Sequence, residues 1–336
     1  MPMNDTMSAA RLVFLDRACP ICGTCSASRY CRGPDYNWGI PGLFTYVRCL
    51  GCGLIYQCPV PASETLMALY PADYGTPMIV DAQEREQKID MPAHRTREQY
   101  IRSILPRPGV VLDIGCGPGY FLESMRRQGW GVHGVESSGT HVAYARTLLQ
   151  TDQVYHQRWP SALPSGLRVD LVVMVHVLEH FPDPVGALHA AQAVLNPGGV
   201  LMIETPNIQS WPARIFGSYW VTLDAPRHLA LYSQQTLARC VKQAGFAVSR
   251  LVTDSPSTME YTESLRYALG RRQQRPASPP PIAKAPGSSS RLAVAKHVVM
   301  DGFHAFERSL CRGMNTLADK GGRGCNLLAF MRSSHS

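Results

Sequence analysis

The chain has 336 residues and a formal net charge of +8, and its hydrophobic share of 45% is that of an ordinary folded protein. That length suits one large domain with an accessory piece. No apolar run approaches the roughly 20 residues needed to cross a bilayer, and residues 1–16 lack a signal peptide's long apolar core, so a cytoplasmic location is expected. Residues 266–336 hold 12 Lys+Arg and 3 Asp+Glu, a charge of +9, which leaves residues 1–265 at 8 − 9 = −1; the basic character is thus no sign of a nucleic-acid surface on the core.

In chain order, residues 1–18 are expected to be a flexible start. Cys19-Pro20-Ile21-Cys22-Gly23 follows, and after a gap of 26 residues comes Cys49-Leu50-Gly51-Cys52-Gly53. Two C-x-x-C-G knuckles at this separation predict a zinc ribbon over 19–60, with Cys19, Cys22, Cys49 and Cys52 closing a tetrahedral structural Zn2+ site. A ribbon that no longer holds metal is the alternative, and Cys25 competes with Cys22 as a ligand. In a reducing compartment the 11 cysteines argue for metal or free thiols rather than disulfides. Residues 46–48 and 54–56 read as a hairpin. Residues 61–105 read as a helical linker or lid, with a short helix capped by Ser63 and a charged helical stretch over 81–105.

The stretch Val110-Val111-Leu112-Asp113-Ile114 is a buried parallel strand in pattern. Gly115-Cys116-Gly117-Pro118-Gly119 then turns into a helix over about 119–128. Glycines remove Cβ atoms where a ligand lies against the main chain. The spacing is G-x-G-x-G, whereas a dinucleotide site wants G-x-G-x-x-G, and Tyr120 stands where its third glycine would be. Strands at 131–136, 154–156, 169–175, 200–204 and 246–252 alternate with helices near 140–150, 184–195 and 233–244. A turn is expected at Asn196-Pro197-Gly198-Gly199. Such alternation means a mostly parallel sheet with helices on both faces.

The turn resembles motif I of the class I S-adenosylmethionine (SAM) methyltransferases, VLDIGCGPGYFL. Two further strings are similar to the ubiquinone-biosynthesis-like branch: His176-Val177-Leu178-Glu179-His180-Phe181-Pro182-Asp183-Pro184, and Asp224-Ala225-Pro226-Arg227-His228-Leu229 with Thr236-Leu237 and Gly245-Phe246 after it. The ribbon, "YQCPVP" and "LYPADYG" resemble the N-terminal extension of bacterial small-molecule methyltransferases. The resemblance implies an α/β, Rossmann-like, seven-stranded sheet over 106–257 and 321–333, the last strand antiparallel beside the fifth. It implies SAM as cofactor, with Asp113, Gly115, Cys116, Gly117, Gly119 and Tyr120 around it. Tyr74 becomes a lid candidate.

Other residues acquire roles from position. Glu136 ends the second strand, 21 residues after Gly115, where a carboxylate can accept both ribose hydroxyls. Trp159 can lie on the adenine face or simply pack. His176 lines the cofactor pocket. Glu179 and His180 can act as acid and base, hold a divalent cation, or shape the loop. His228 has the pKa range of a general base, and Arg227 can fix a substrate carboxylate or phosphate or pair with Asp224.

Residues 258–320 read as a helical insertion. A helix is expected over 259–269 and disorder over 271–290, which is polar and Pro-rich. Apolar residues at 292, 295, 299, 303, 306, 310, 314 and 317 then form one helical stripe. It packs on its own domain, or offers a membrane-surface or partner contact. The expected activity is methyl transfer from SAM to a small-molecule acceptor, O-methylation before C- or N-. An RNA methyltransferase and a non-catalytic scaffold are the alternatives. The acceptor and the oligomeric state are not written in the sequence.

Overall fold

The computed structural model describes residues 12–70, 79–161, 163–257, 259–270 and 313–334. Tyr74, the 271–290 segment and the stripe up to residue 312 lie outside them. The elements in order are β1 (Phe14–Leu15), β2 (Ala27–Gly33), β3 (Phe44–Cys49), β4 (Ile55–Gln57), β5 (Val60–Pro61) and α1 (Ser63–Ala68). Then come α2 (Ala82–Ile89), α3 (Pro92–Ile104), β6 (Val110–Ile114), α4 (Tyr120–Arg127), β7 (Gly131–Glu136), α5 (Gly139–Leu149) and β8 (Val154–His156). The chain continues through β9 (Val169–Val175), α6 (Pro184–Val194), β10 (Leu195–Pro206), α7 (Trp211–Phe216), β11 (Ala230–Leu231), α8 (Gln234–Gln243), β12 (Phe246–Asp254), α9 (Met259–Ala268), helical residues 313–320 and β13 (Asn326–Ser333).

The main sheet has the order β12-β13-β10-β9-β6-β7-β8. β6, β7, β8, β9 and β10 pair in parallel, and β13 runs antiparallel between β10 and β12. This is the expected α/β sheet with its antiparallel last strand. Alternate side chains of each strand enter different cores. Leu112, Ile114, Val172 and Met174 meet Leu188 of α6 and Leu237 of α8. Val111, Leu171 and Val173 meet Ile101 of α3, Leu122 of α4 and Val142 of α5. Burial on both faces explains why these strands read as continuous apolar runs.

Local signals set several boundaries. Ser233 and Thr236 form a capping box at α8, and Gly245, at φ +79°, lets the chain leave it. Pro184 opens α6 beneath the Asp183 cap. Two expectations change. Ser63 is the first residue of α1, not a cap before it. The 196–199 turn becomes an irregularity inside β10: pairing with β9 jumps from Leu195↔Val169 to Val200↔Leu171. Asn196 there donates to Asp170 at 2.8 Å.

The N-terminal part is built into the rest. Val60 and Pro61 pair with Leu15 and Phe14, so the described end of the expected flexible start forms a strand. A four-stranded sheet runs β11-β4-β3-β2, and β11 belongs to the loop before α8. Cys19, Ile21, Leu54 and Tyr56 share one apolar core with the main sheet. Of the apolar stripe, residues 313–320 are described, and they bury Asn315 and Ala318 while leaving Leu317 exposed. Within residues 313–320 the buried positions are not the ones the apolar spacing marks. Among the described residues no helix is long and apolar enough to cross a membrane.

Candidate active site

A cavity of about 1160 Å³ opens at the carboxyl ends of β6, β7 and β9. Its walls include Gly115, Gly117, Glu136, Trp159, His176, His180 and His228. Open α/β sheets bind ligands at this edge because the strand-to-helix turns diverge there. Gly115 and Gly117 hold φ values of +76° and +54°. A Cβ on Gly117 would meet nothing within 4 Å, so the missing side chain leaves open space along the main chain. Glu136 accepts from the backbone N–H of Gly117 at 3.0 Å and of Ser138 at 2.7 Å, which aims its carboxylate at the mouth of the turn. Trp159 donates its indole N–H to the Ala187 carbonyl at 2.9 Å, so its ring is fixed where it meets the cavity.

Four of the expected cofactor contacts stand elsewhere. Asp113 is buried and absent from the cavity wall, and burial pushes its carboxyl up to about 8 against the pull of Arg97. Cys116 is a core residue: a Cβ on Gly134 would lie 2.7 Å from its sulfur. The Cβ missing from Gly119 would lie 3.1 Å from Ala145 Cβ, so that glycine serves the packing of α5. The Tyr120 hydroxyl accepts from Val80 N–H and donates to Tyr144, both at 3.3 Å, fastening the segment before α2.

Below the cavity lies a buried ionic chain that motif reading does not reveal. Arg97 of α3 grips Glu204 of β10 through two bonds of 2.6 and 2.9 Å. Asn326 donates to the same carboxylate at 3.1 Å. His176 stands between Glu204 Oε1 and Glu179 Oε1, 3.5 Å from each. Burial opposes charge on His176, but the two carboxylates prevail and push it up to about 10. Its φ of +54° is costly for a non-glycine residue and marks a position held by its surroundings. Burial also opposes the charge of Glu179, yet His176, His228 and His180 hold it down at about 2. Thr205 donates to its Oε2 at 2.9 Å, while among the described residues Oε1 makes no hydrogen bond and pairs with His176 by charge.

That oxygen, 3.5 Å from His176 Nδ1, also faces the histidine pair. His228 Nδ1 lies 2.8 Å from the Thr222 carbonyl, so it carries the proton and leaves Nε2 bare. Nε2 is 3.9 Å from both Glu179 Oε1 and Asp224 Oδ2. His180 packs edge-on against His228, with ring centroids 4.6 Å apart. Its Nδ1 donates to the Arg227 carbonyl at 3.0 Å, and burial with the nearby His228 pushes it down to about 4. Glu179, His180 and His228 bring one ligand atom each within 4.8 Å of one another, a spacing a cation can bridge.

Arg227 is a correction. Its side chain is fully buried, bound to Asp35 at 2.9 and 2.7 Å and to Asp224 at 2.7 Å. Thus buried, it does not reach the cavity wall, and it anchors the loop to the ribbon segment that carries Asp35. The expected Arg227–Asp224 pairing is present; Asp35 carries no motif that would announce it.

The four knuckle cysteines converge. Cys19–Cys52 and Cys22–Cys49 sulfurs are each 3.4 Å apart, and all four lie within 4.8 Å of one another. A tetrahedral site with Zn–S bonds of about 2.3 Å needs sulfur separations of roughly 3.8 Å, which this range brackets. Gly23 and Gly53 take positive φ just past each knuckle, and Cys52 N–H points at Cys49 Sγ at 3.4 Å. The donor set therefore fits zinc. Cys25 is exposed and outside the cluster.

Strand order, glycine turn and the acid ending β7 define a class I SAM-dependent methyltransferase domain, and residues 85–251 match the family described as methyltransferase domain. That stretch of the chain belongs to the family. The ubiquinone biosynthesis O-methyltransferase of Photorhabdus laumondii subsp. laumondii is 29% identical over 154 residues, covering 40% of this chain and 62% of that protein. The protein of the same description from Sodalis glossinidius is 33% identical over 150 residues, covering 40% and 59%. The chain thus spans about three fifths of the length of these curated relatives. A SAM-dependent methyltransferase structure from Archaeoglobus fulgidus aligns at 18% identity with a TM-score of 0.43, over 71% of this chain and 93% of that one.

Proposed function

We propose that the protein transfers a methyl group from SAM to a small-molecule acceptor, with a hydroxyl as the favoured acceptor atom. The observation that carries this reading is a single cavity with Gly117 and Glu136 on one wall and His228 on another. Bound SAM supplies an electrophilic methyl on a sulfonium. Glu136 would hold the ribose hydroxyls, Trp159 the adenine face, and the main chain, open at Gly117, the methionine portion. His176, with its ring nitrogens turned to Glu179 and Glu204, would line the cofactor pocket.

His228 would take the proton of the acceptor hydroxyl on Nε2. The imidazolium so formed has Glu179 and Asp224 each 3.9 Å away, and their charges stabilise it. His180, neutral at physiological pH, keeps a second ring nitrogen beside the site. Most of the rate comes from aligning acceptor oxygen, methyl and sulfur and from excluding water. The four-cysteine cluster would hold a structural zinc. Support for a small acceptor is the likeness to small-molecule O-methyltransferases.

The test is a labelled-SAM assay of the purified protein against low-mass extracts of its own organism. His228→Ala is expected to lower kcat by ~10²–10⁴ with SAM affinity unchanged. Full activity in both His228→Ala and His180→Ala would remove the acid–base role.

A further inference from the structure

The segment after β12 is not needed for the sheet, yet its first helix supplies a wall of the cavity through Met259 and Glu260. Glu260 is buried, and its Oε2 accepts the indole N–H of Trp220 at 2.7 Å. Trp220 is itself almost fully buried in the loop that carries Thr222 and His228. The carboxyl is thus fixed in place, and Thr222 and Cys325 lie against it.

The charges around the cavity separate Glu260 from its neighbours. Arg97 is matched by Glu204, and His176 is matched by Glu204 and Glu179. Arg227 is matched by Asp35 and Asp224. Among the described residues Glu260 has no ion pair. The charge of His176 reaches Glu260, but His176 already serves two carboxylates, so a bound cation would further stabilise the ionised form of this buried acid. Other parts of the wall are apolar: Leu66, Phe181, Pro182 and Met259.

We propose that Glu260 selects the methyl acceptor, and that this acceptor is a largely apolar small molecule carrying a basic nitrogen that binds as an ammonium group. The inference rests on the methyltransferase reading, because it places the acceptor in this cavity. The ammonium is a recognition handle, separate from the hydroxyl that faces His228. Burial pushes the Glu260 carboxyl up to about 7, so a cation next to it readily draws it to the ionised form.

The experiment uses the full chain saturated with S-adenosylhomocysteine and compares two isosteric probes by calorimetry, 2-phenylethylammonium and 2-phenylethanol. The ammonium probe is expected to bind at least about tenfold more tightly, as a charge-assisted contact requires. Glu260→Gln keeps an oxygen for the Trp220 N–H and is expected to bring the two probes to parity, with S-adenosylhomocysteine affinity unchanged as the check on folding. Equal binding by the native chain, binding of neither probe, or a preference that survives in Glu260→Gln overturns the proposal. Failure to bind S-adenosylhomocysteine at all is a separate result that removes the methyltransferase reading itself.

Discussion

His176 shows how one residue combines strain, charge and exposure. Its side chain is 42% accessible on the cavity side, yet both ring nitrogens face carboxylates. A histidine with a raised native pKa binds its proton more tightly when folded. Its contribution to stability is therefore full below the unfolded value near 6.5 and is lost as the pH climbs towards about 10. The melting temperature of the native chain should fall more steeply from pH 7 to pH 10 than that of His176→Gln. Parallel curves would show that the two carboxylates do not hold the proton there. At the same scale the glycine turn divides: Gly115 and Gly117 face the cavity, whereas Gly119 makes room for α5.

Between elements, the main new link is Arg97 to Glu204, which ties α3 to the centre of the sheet through a bidentate contact almost wholly out of solvent. Removing one partner of such a pair leaves an uncompensated buried charge, at a cost of about 3–5 kcal/mol. Arg97→Ala should lose that much in denaturant unfolding. A loss under about 1 kcal/mol would mean that solvent reaches Glu204 once the guanidinium is gone. Charge alternation over 81–105 announces helices, but gives no sign that one arginine turns inward. Its partner is 107 positions further on, and no periodicity spans that gap.

Across the whole molecule, the cysteine cluster, the four-stranded sheet and the loop that carries Arg227 and His228 form one continuous structure. β11 pairs with β4, and Asp35 holds Arg227. Metal analysis of the purified chain should find about one zinc per molecule, as four thiolates require. Chelation should lower the melting temperature and raise amide exchange at residues 224–231 as well as in the ribbon, because β11 loses its partner strand. Zinc loss with unchanged exchange at 224–231 would separate the ribbon from that loop. Cysteine spacing alone marks the candidate ligands, since each knuckle is a local turn. It carries no information on which distant strand completes the sheet.

The glycine turn, the order of strands and helices, Glu136 at the end of β7 and the paired knuckles are legible in the sequence. Each is a matter of spacing within a few residues or of apolar period, and short-range sterics and burial enforce them. The tertiary structure alone decided that Asp113, Cys116 and Tyr120 turn away from the cavity and that Arg227 is sealed by Asp35. It alone gave Glu260 a place on the cavity wall. Those outcomes depend on which segments, far apart along the chain, the sheet brings within a few ångströms, where buried charges must find partners or remain for a ligand to meet.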